Sequence, residues 1–157
     1  PRSKRTQLGN LISLLSRIRP NGQTDFSNSL GQIAAMLKQR SLVMVFSDLL
    51  VDDDSIFDAL HRIRHGGHDV ILFHVLDEAE VNFPFHGPCQ LQDPESGDEI
   101  KVDADGFRKE YCQAMEAFRE SLASDCRNSG IDYVPIDTSM QFDTALLEYL
   151  HSRKMRF

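Results

Sequence analysis

The sequence predicts an α/β fold in which a parallel sheet is flanked by helices. Three observations predict it. Leu42 to Phe46 is an unbroken apolar run, too short for a buried helix and suited to a pleated strand. Asp69-Val-Ile-Leu-Phe-His-Val75 is a second such run. One amphipathic segment of helical length lies between them. Strand, helix and strand at this spacing form a βαβ crossover, which makes the two strands parallel neighbours. Apolar runs without alternation further predict strands covered on both faces.

Taken in order, residues 4–18 predict a first amphipathic helix. Leu8, Leu11, Ile12, Leu15 and Ile18 form one apolar stripe, and Pro20-Asn-Gly22 ends it. A second helix spans 26–39, with Phe26, Leu30, Ile33, Ala34 and Leu37 inward and Thr24 or Asp25 as N-cap. The strand over 42–47 follows. Asp52, Asp53 and Asp54 open a helix over 54–65, where first-turn carboxylates complement the helix dipole. Ile56, Phe57, Leu60 and Ile63 face inward, and Gly66-Gly67 supplies the left-handed stop. The second strand follows. Residues 76–103 crowd Pro84, Gly87, Pro88, Pro94 and Gly97 together. Cys89–Gln92 and Glu99–Val102 are expected to pair as a small β-hairpin insertion on the rim. A long helix over 104–128 buries Phe107, Tyr111, Met115, Phe118, Leu122 and Cys126. Ile131–Ile136 is a third strand, and Pro135, with no N–H, places it at an edge. A last helix over 141–152 buries Phe142, Leu146, Leu147 and Leu150.

At 157 residues, 41% of them hydrophobic and 26% charged, the chain has the make-up of one soluble domain. No run approaches the roughly 18 apolar residues of a membrane span. The start, Pro1-Arg-Ser-Lys-Arg5, has no leader pattern, so a cytoplasmic location is expected. A net charge of −7 argues against nucleic acid as a partner. The charge is uneven: residues 1–40 hold seven Lys/Arg and one acid, Asp25. Such a basic helix is either a docking surface or a solvated face. Cys89, Cys112 and Cys126 show no CxxC spacing and read as reduced structural thiols.

Ser47 and Asp48 stand at the carboxyl end of the first strand, where open α/β sheets bind ligands. Thr24 lies in the loop before a helix, a point that in a doubly wound sheet can face the same crevice. Hydroxyls with one carboxylate suit a weakly held Mg²⁺ that keeps its waters and an open position for a partner's carboxylate. Ser47 and Asp25 extend this into a binding rim. The plainer reading has Asp48 starting a turn or capping the next helix. His61 and His65 lie at i, i+4 near a helix end, with His68 close by, but lack the Glu of a zinc protease. His74, inside a strand, reads as a satisfied core or rim residue. No GxSxG, GxGxxG, P-loop or triad spacing is present.

Three segments then converge: Asn21-Gly-Gln-Thr-Asp-Phe-Ser-Asn-Ser-Leu30, Arg40-Ser-Leu-Val-Met-Val-Phe-Ser-Asp48 and Gly67-His-Asp-Val-Ile-Leu-Phe-His-Val-Leu-Asp77. With Phe83-Pro-Phe85, Asp93-Pro-Glu-Ser-Gly97 and Phe142-Asp-Thr-Ala-Leu-Leu147, they resemble the carboxyl-terminal part of bacterial DUF58 proteins over nearly the whole chain. The resemblance implies an incomplete von Willebrand A-like, Rossmann-like parallel sheet with flanking helices. Residues 1–157 would be a single truncated domain, and 76–103 its hairpin insertion. It also implies a metal-ion-dependent adhesion site, with Thr24 matching its second element and Asp48 its third. The D-x-S-x-S loop that completes the site is absent from these residues. Mg²⁺ is therefore expected only if that loop is supplied. The implied function is a non-catalytic protein-protein interaction module that assists a MoxR-type AAA+ ATPase in assembling or activating other proteins. A competing reading is a small Mg²⁺-dependent hydrolase or phosphoryl-transfer protein using Asp48 and Asp52–Asp54. It requires a nucleophile or a phosphate-cradling glycine loop, and the sequence offers neither. Without the first strand of the fold, residues 42–47 become a bare edge, and self-association through them is expected.

Overall fold

The structure, a computed structural model, describes residues 5–19, 26–50, 55–93, 97–140, 147 and 149. Within them the chain forms α1 (Arg5–Leu15), α2 (Phe26–Met36), β1 (Leu42–Ser47), α3 (Ser55–His65), β2 (Asp69–Leu76), α4 (Glu78–Asn82), β3 (Pro88–Gln92), β4 (Glu99–Asp103), α5 (Ala104–Asn128) and β5 (Asp132–Asp137). β1, β2 and β5 make a parallel sheet in that order, with β2 central. Leu42 lies opposite Asp69 and Ser47 opposite His74; on the other side Ile71 lies opposite Asp132 and Leu76 opposite Asp137. β3 and β4 form a separate antiparallel pair with Cys89 opposite Val102. The α/β class, the parallel neighbours, the hairpin strands and the edge position of Pro135 are as the sequence predicts.

Both crossovers, through α3 and through α5, step the same way across the sheet. Right-handed connections stepping one way lay their helices on one face. The main core is accordingly one-sided. Leu30 of α2, Ile56, Leu60 and Ile63 of α3, and Leu122 and Cys126 of α5 close over Val43, Val45, Val70 and Leu72. The opposite face has a thinner cover, in which Tyr149 packs on Ile71 and Phe73. Gly130, with φ of 67°, ends the α5 connection. A Cβ there would meet the Arg64 guanidinium at 3.3 Å, and Arg64 Nε donates to the Gly130 carbonyl at 2.9 Å. That position therefore favours glycine for its backbone, and a side chain there would also press on Arg64.

One-sidedness corrects the expectation that β1 is covered on both faces. β2 is buried almost throughout, whereas β1 alternates. Val43 and Val45 are buried, but Leu42, Met44 and Phe46 are 48%, 55% and 57% exposed. Phe46 lies flat on Phe73, with ring centroids 4.5 Å apart and planes at 8°. Among the described residues no strand pairs with the outer edge of β1.

Further expectations change: Ile33 of α2 and Phe107 of α5, both read as inward, are 39% and 37% exposed. The stripe of α1 forms, but Leu8, Leu11, Ile12, Leu15 and Ile18 all stay exposed. Of the last predicted helix only Leu147 and Tyr149 are described. Leu147, expected inside, is exposed, and Tyr149 is buried instead, its hydroxyl donating to Asp132 Oδ2 at 3.0 Å. The segment 76–103 also holds a helix, α4, which the reading of it as an irregular rim missed. Asp77 accepts from the Ala79 N–H at 2.9 Å while Glu80 accepts from the Asp77 N–H at 2.7 Å, a reciprocal capping box. Phe83, at φ of 44°, ends α4 and buries its ring against Phe85, Phe107 and Tyr111. Asp105 accepts from the Gly87 N–H at 3.0 Å and from His86 at 3.0 Å, contacts that hold its carboxyl below the usual range. These bonds dock the hairpin side of the molecule on α5.

The two faces of the sheet should separate in stability measurements. Leu72→Ala empties a fully buried site and should cost about 2–5 kcal/mol. Met44→Ala should change stability by less than about 0.5 kcal/mol. Urea unfolding followed by circular dichroism compares them, and equal costs would contradict the one-sided core.

Candidate functional site

β1 ends at Ser47, and the next three residues turn sharply. Ser47 Oγ accepts from the Leu49 N–H at 3.1 Å, and Asp48 Oδ1 accepts from the Leu50 N–H at 3.2 Å. Leu49 adopts φ of 55°, a left-handed conformation. For a non-glycine residue that costs on the order of 1–2 kcal/mol. Burying the leucine side chain in the main core returns roughly 1.5–3 kcal/mol, so the turn holds. The plainer expectation for Asp48, a turn-forming side chain, is what the bonds show. Its carboxylate remains exposed at the rim.

Beneath the turn lies His74, 1% exposed and opposite Ser47 in the register. Its Nε2 is 2.8 Å from the Asp48 carbonyl oxygen, and its Nδ1 is 2.8 Å from the Tyr133 hydroxyl. A carbonyl can only accept, so Nε2 holds the hydrogen. Burial pushes the His74 pKa below its ordinary 6.5, outweighing the Asp48 carbonyl, which favours the cation. The neutral ring therefore leaves Nδ1 to accept from Tyr133. Burial also raises the Tyr133 hydroxyl above its ordinary value, which keeps the proton it donates. Phe118 of α5 meets the imidazole edge-on at 5.8 Å and closes the site from the helix side. The expectation of a satisfied histidine is met. What sequence reasoning missed is which groups satisfy it, since residues 48, 74 and 133 share no linear spacing.

The other two strand ends join the same rim. Thr138 Oγ1 donates to Asp77 Oδ2 at 2.9 Å, and the Thr138 N–H donates to the Leu76 carbonyl at 3.0 Å. Asp137 Oδ1 accepts from the Ser139 N–H at 2.8 Å, a bond that holds its carboxyl below the usual range. The Asp77 role was open to sequence reasoning, because Asp77-Glu-Ala-Glu80 is a capping-box pattern.

Thr24 and Asp25 lie outside the described residues, as do Asp52, Asp53 and Asp54. Among the described residues no group of three or more His, Cys, Asp or Glu side chains could share a metal ion. Asp48 alone, with one oxygen bound to the Leu50 N–H, does not fit Mg²⁺. His61 is engaged by the Ser129 hydroxyl at 2.6 Å, and His68 Nδ1 accepts from the Ser41 N–H at 3.3 Å. Cys126 is buried, its thiol pushed up to about 11, and it is a free cysteine with Cys89 and Cys112. A cavity of about 370 Å³ opens at the far end of β5, lined by Arg127, Gly130, Asp132 and Tyr133. It shares Tyr133 with the His74 network. Asp132 there is already held by Tyr149.

Comparison with known proteins adds the family. The DUF58 family, described as a protein of unknown function, matches residues 1–121. The chain belongs to the DUF58 family. The matched span takes in Thr24, Asp48 and His74 and stops before Tyr133. An uncharacterized protein of Mycobacterium avium, MAV169, is 29% identical over 89 residues, which are 55% of this DUF58 chain and 52% of that protein. The chain thus spans about half the length of that relative. No solved structure matches. Among the described residues no helix is long and apolar enough to cross a membrane.

The His74 network should show in the pH dependence of stability. The unfolded imidazole takes up a proton near 6.5 and the folded one only at lower pH. Between those values the unfolded state binds more protons, so stability is full above 6.5 and falls as pH drops below it. The urea midpoint should decline from about pH 7.5 to about pH 5.5. His74→Gln keeps a donor for the Asp48 carbonyl but cannot titrate. It should cost about 1–3 kcal/mol at the higher pH and flatten the decline. An unchanged slope in the variant would refute this account of His74.

Proposed function

We propose that this DUF58 chain is a non-catalytic protein-protein interaction module. It is a single truncated von Willebrand A-like domain over residues 1–157, with 76–103 as an insertion, working in the cytoplasm. Its recognition rim is Ser47 and Asp48 at the tip of β1, extended by Thr24 and Asp25. Its partner is a protein, with the MoxR-type AAA+ ATPases as the class implied by the family resemblance, and its role is to help assemble or activate other proteins.

One observation supports this above the rest. The Asp48 carboxylate is exposed while its backbone is held twice, by the His74 bond to its carbonyl and by the burial of Leu49. A carboxylate at a preorganised strand end loses little freedom when a partner's cation or N–H meets it. The carboxyl ends of strands in open α/β sheets are where such ligands bind. Metal enters this reading only if a D-x-S-x-S loop is supplied to complete the set begun by Thr24 and Asp48.

Calorimetric titration against a purified MoxR-type AAA+ ATPase tests the proposal. Asp48→Ala removes a charge-assisted bond of about 1.5–3 kcal/mol and should weaken binding roughly tenfold to a hundredfold, with the circular dichroism unchanged. Equal affinity of the two proteins sinks the assignment of Asp48. Hydrolysis of a phosphoester in the presence of Mg²⁺, abolished by Asp48→Ala, would select the phosphoryl-transfer reading instead.

A further inference from the structure

The flank of β1 has a geometry that its tip does not explain. The Asp69 N–H donates to the Ser41 carbonyl at 2.9 Å. Backbone groups alternate sides along a strand. Ser41, Val43, Val45 and Ser47 therefore turn their N–H and C=O toward β2. Leu42, Met44 and Phe46 turn theirs outward, where no described strand meets them. The same three residues hold the exposed apolar side chains of the strand. Arg40 and Asp48, both exposed, lie four residues before and four after Met44, just beyond the strand ends; Arg40 meets Asp69 at 3.4 Å in the single chain, and the Asp48 carbonyl turns to His74 while its carboxylate stays at the surface.

We infer that two copies of this chain pair antiparallel along β1, about a two-fold axis that passes through Met44 perpendicular to the sheet. In that register Met44 lies opposite Met44 of the second copy, and Leu42 lies opposite Phe46. Each pair exchanges both its N–H···O bonds, because each residue already points outward. The apolar side chains meet on the bare face as cross-strand pairs. Just beyond the strand ends Arg40 of each copy comes near Asp48 of the other, and opposite charges close both ends of the seam as the exposed Arg40–Asp69 contact gives way to one across it. A shift by one residue would set outward groups against inward ones and lose the bonds. A shift of the axis to Val43 or Val45 would separate the charges and leave one outward residue without a partner. The occupant is therefore a second copy: the strand is complementary to its own reverse in backbone parity, in apolar face and in charge. The two three-stranded sheets join into one continuous sheet.

Sedimentation velocity over a concentration series tests this, and it reads mass, independent of any binding to an ATPase. The wild-type chain should move from monomer to dimer as concentration rises. Met44→Pro removes an N–H that the β1–β2 ladder does not use, at an edge where proline is tolerated. It should keep the circular dichroism and raise the dimer dissociation constant at least about tenfold. Arg40→Asp should weaken the dimer, and Arg40→Asp with Asp48→Arg should restore it, because the reversed pair re-forms across the seam. The charge-reversal series decides the matter if Met44→Pro does not fold. A wild-type chain that stays monomeric at every concentration overturns the proposal, whether the bare face remains open or α1 covers it. So does a Met44→Pro variant that dimerises like wild type, or a double reversal that restores nothing.

Discussion

A buried, neutral imidazole ties the strand ends together, and the rim depends on it. His74 on the central strand reaches the backbone of the β1 turn with one nitrogen and the β5 side chain of Tyr133 with the other. In the neutral ring the two bonds select one tautomer, with the hydrogen on Nε2. Charging the ring would make Nδ1 a second donor, and the Tyr133 hydroxyl would have to turn its own proton away. Burial under Phe118 keeps the ring uncharged. The strained turn at Leu49 is thus held from below by a hydrogen bond and from the side by core packing. The exposed carboxylate of Asp48 inherits its position from both.

The sheet is asymmetric for a topological reason. Two crossovers that step in one direction leave both of their helices on the same side. The helix-lined face holds the large core, and the other relies on Phe73, Ile71 and Tyr149. β2 is covered by both, which is why it is buried almost throughout. Among the described residues, β1 is buried by the helix-lined core alone, through Val43 and Val45. Its alternating burial follows from its place in the sheet and not from its composition.

This difference marks what could be read from the residues alone. Local patterns were legible. The apolar runs at 42–47 and 69–75, the inner face of α3, that of α5 at Met115, Leu122 and Cys126, the Gly130 stop and the hairpin strands all lie where short-range chemistry places them. The edge position of β5 was legible because Pro135 has no N–H to give. An unbroken apolar run cannot say which of its faces will be left bare, so the exposure of Leu42, Met44 and Phe46 was not legible. The burial of Tyr149 in place of Leu147 depends on where Asp132 and Phe73 arrive, which no helical stripe records. At the site, Ser47 and Asp48 were identified from the strand end, and the turn they form matches the plainer expectation. Their link to His74 and Tyr133 joins residues far apart in the chain, and that escapes any motif. The Asp77 capping box was within reach, and the Pro/Gly-rich context obscured it.

The backbone parity of β1 also bears on how its amides meet solvent. In the single chain, the N–H groups of Val43, Val45 and Ser47 face the central strand, whereas those of Leu42, Met44 and Phe46 face outward. Deuterium uptake along this strand should therefore change residue by residue, fast and slow in strict alternation. A strand that is uniform by its side-chain chemistry is, seen from its amide hydrogens, two interleaved populations.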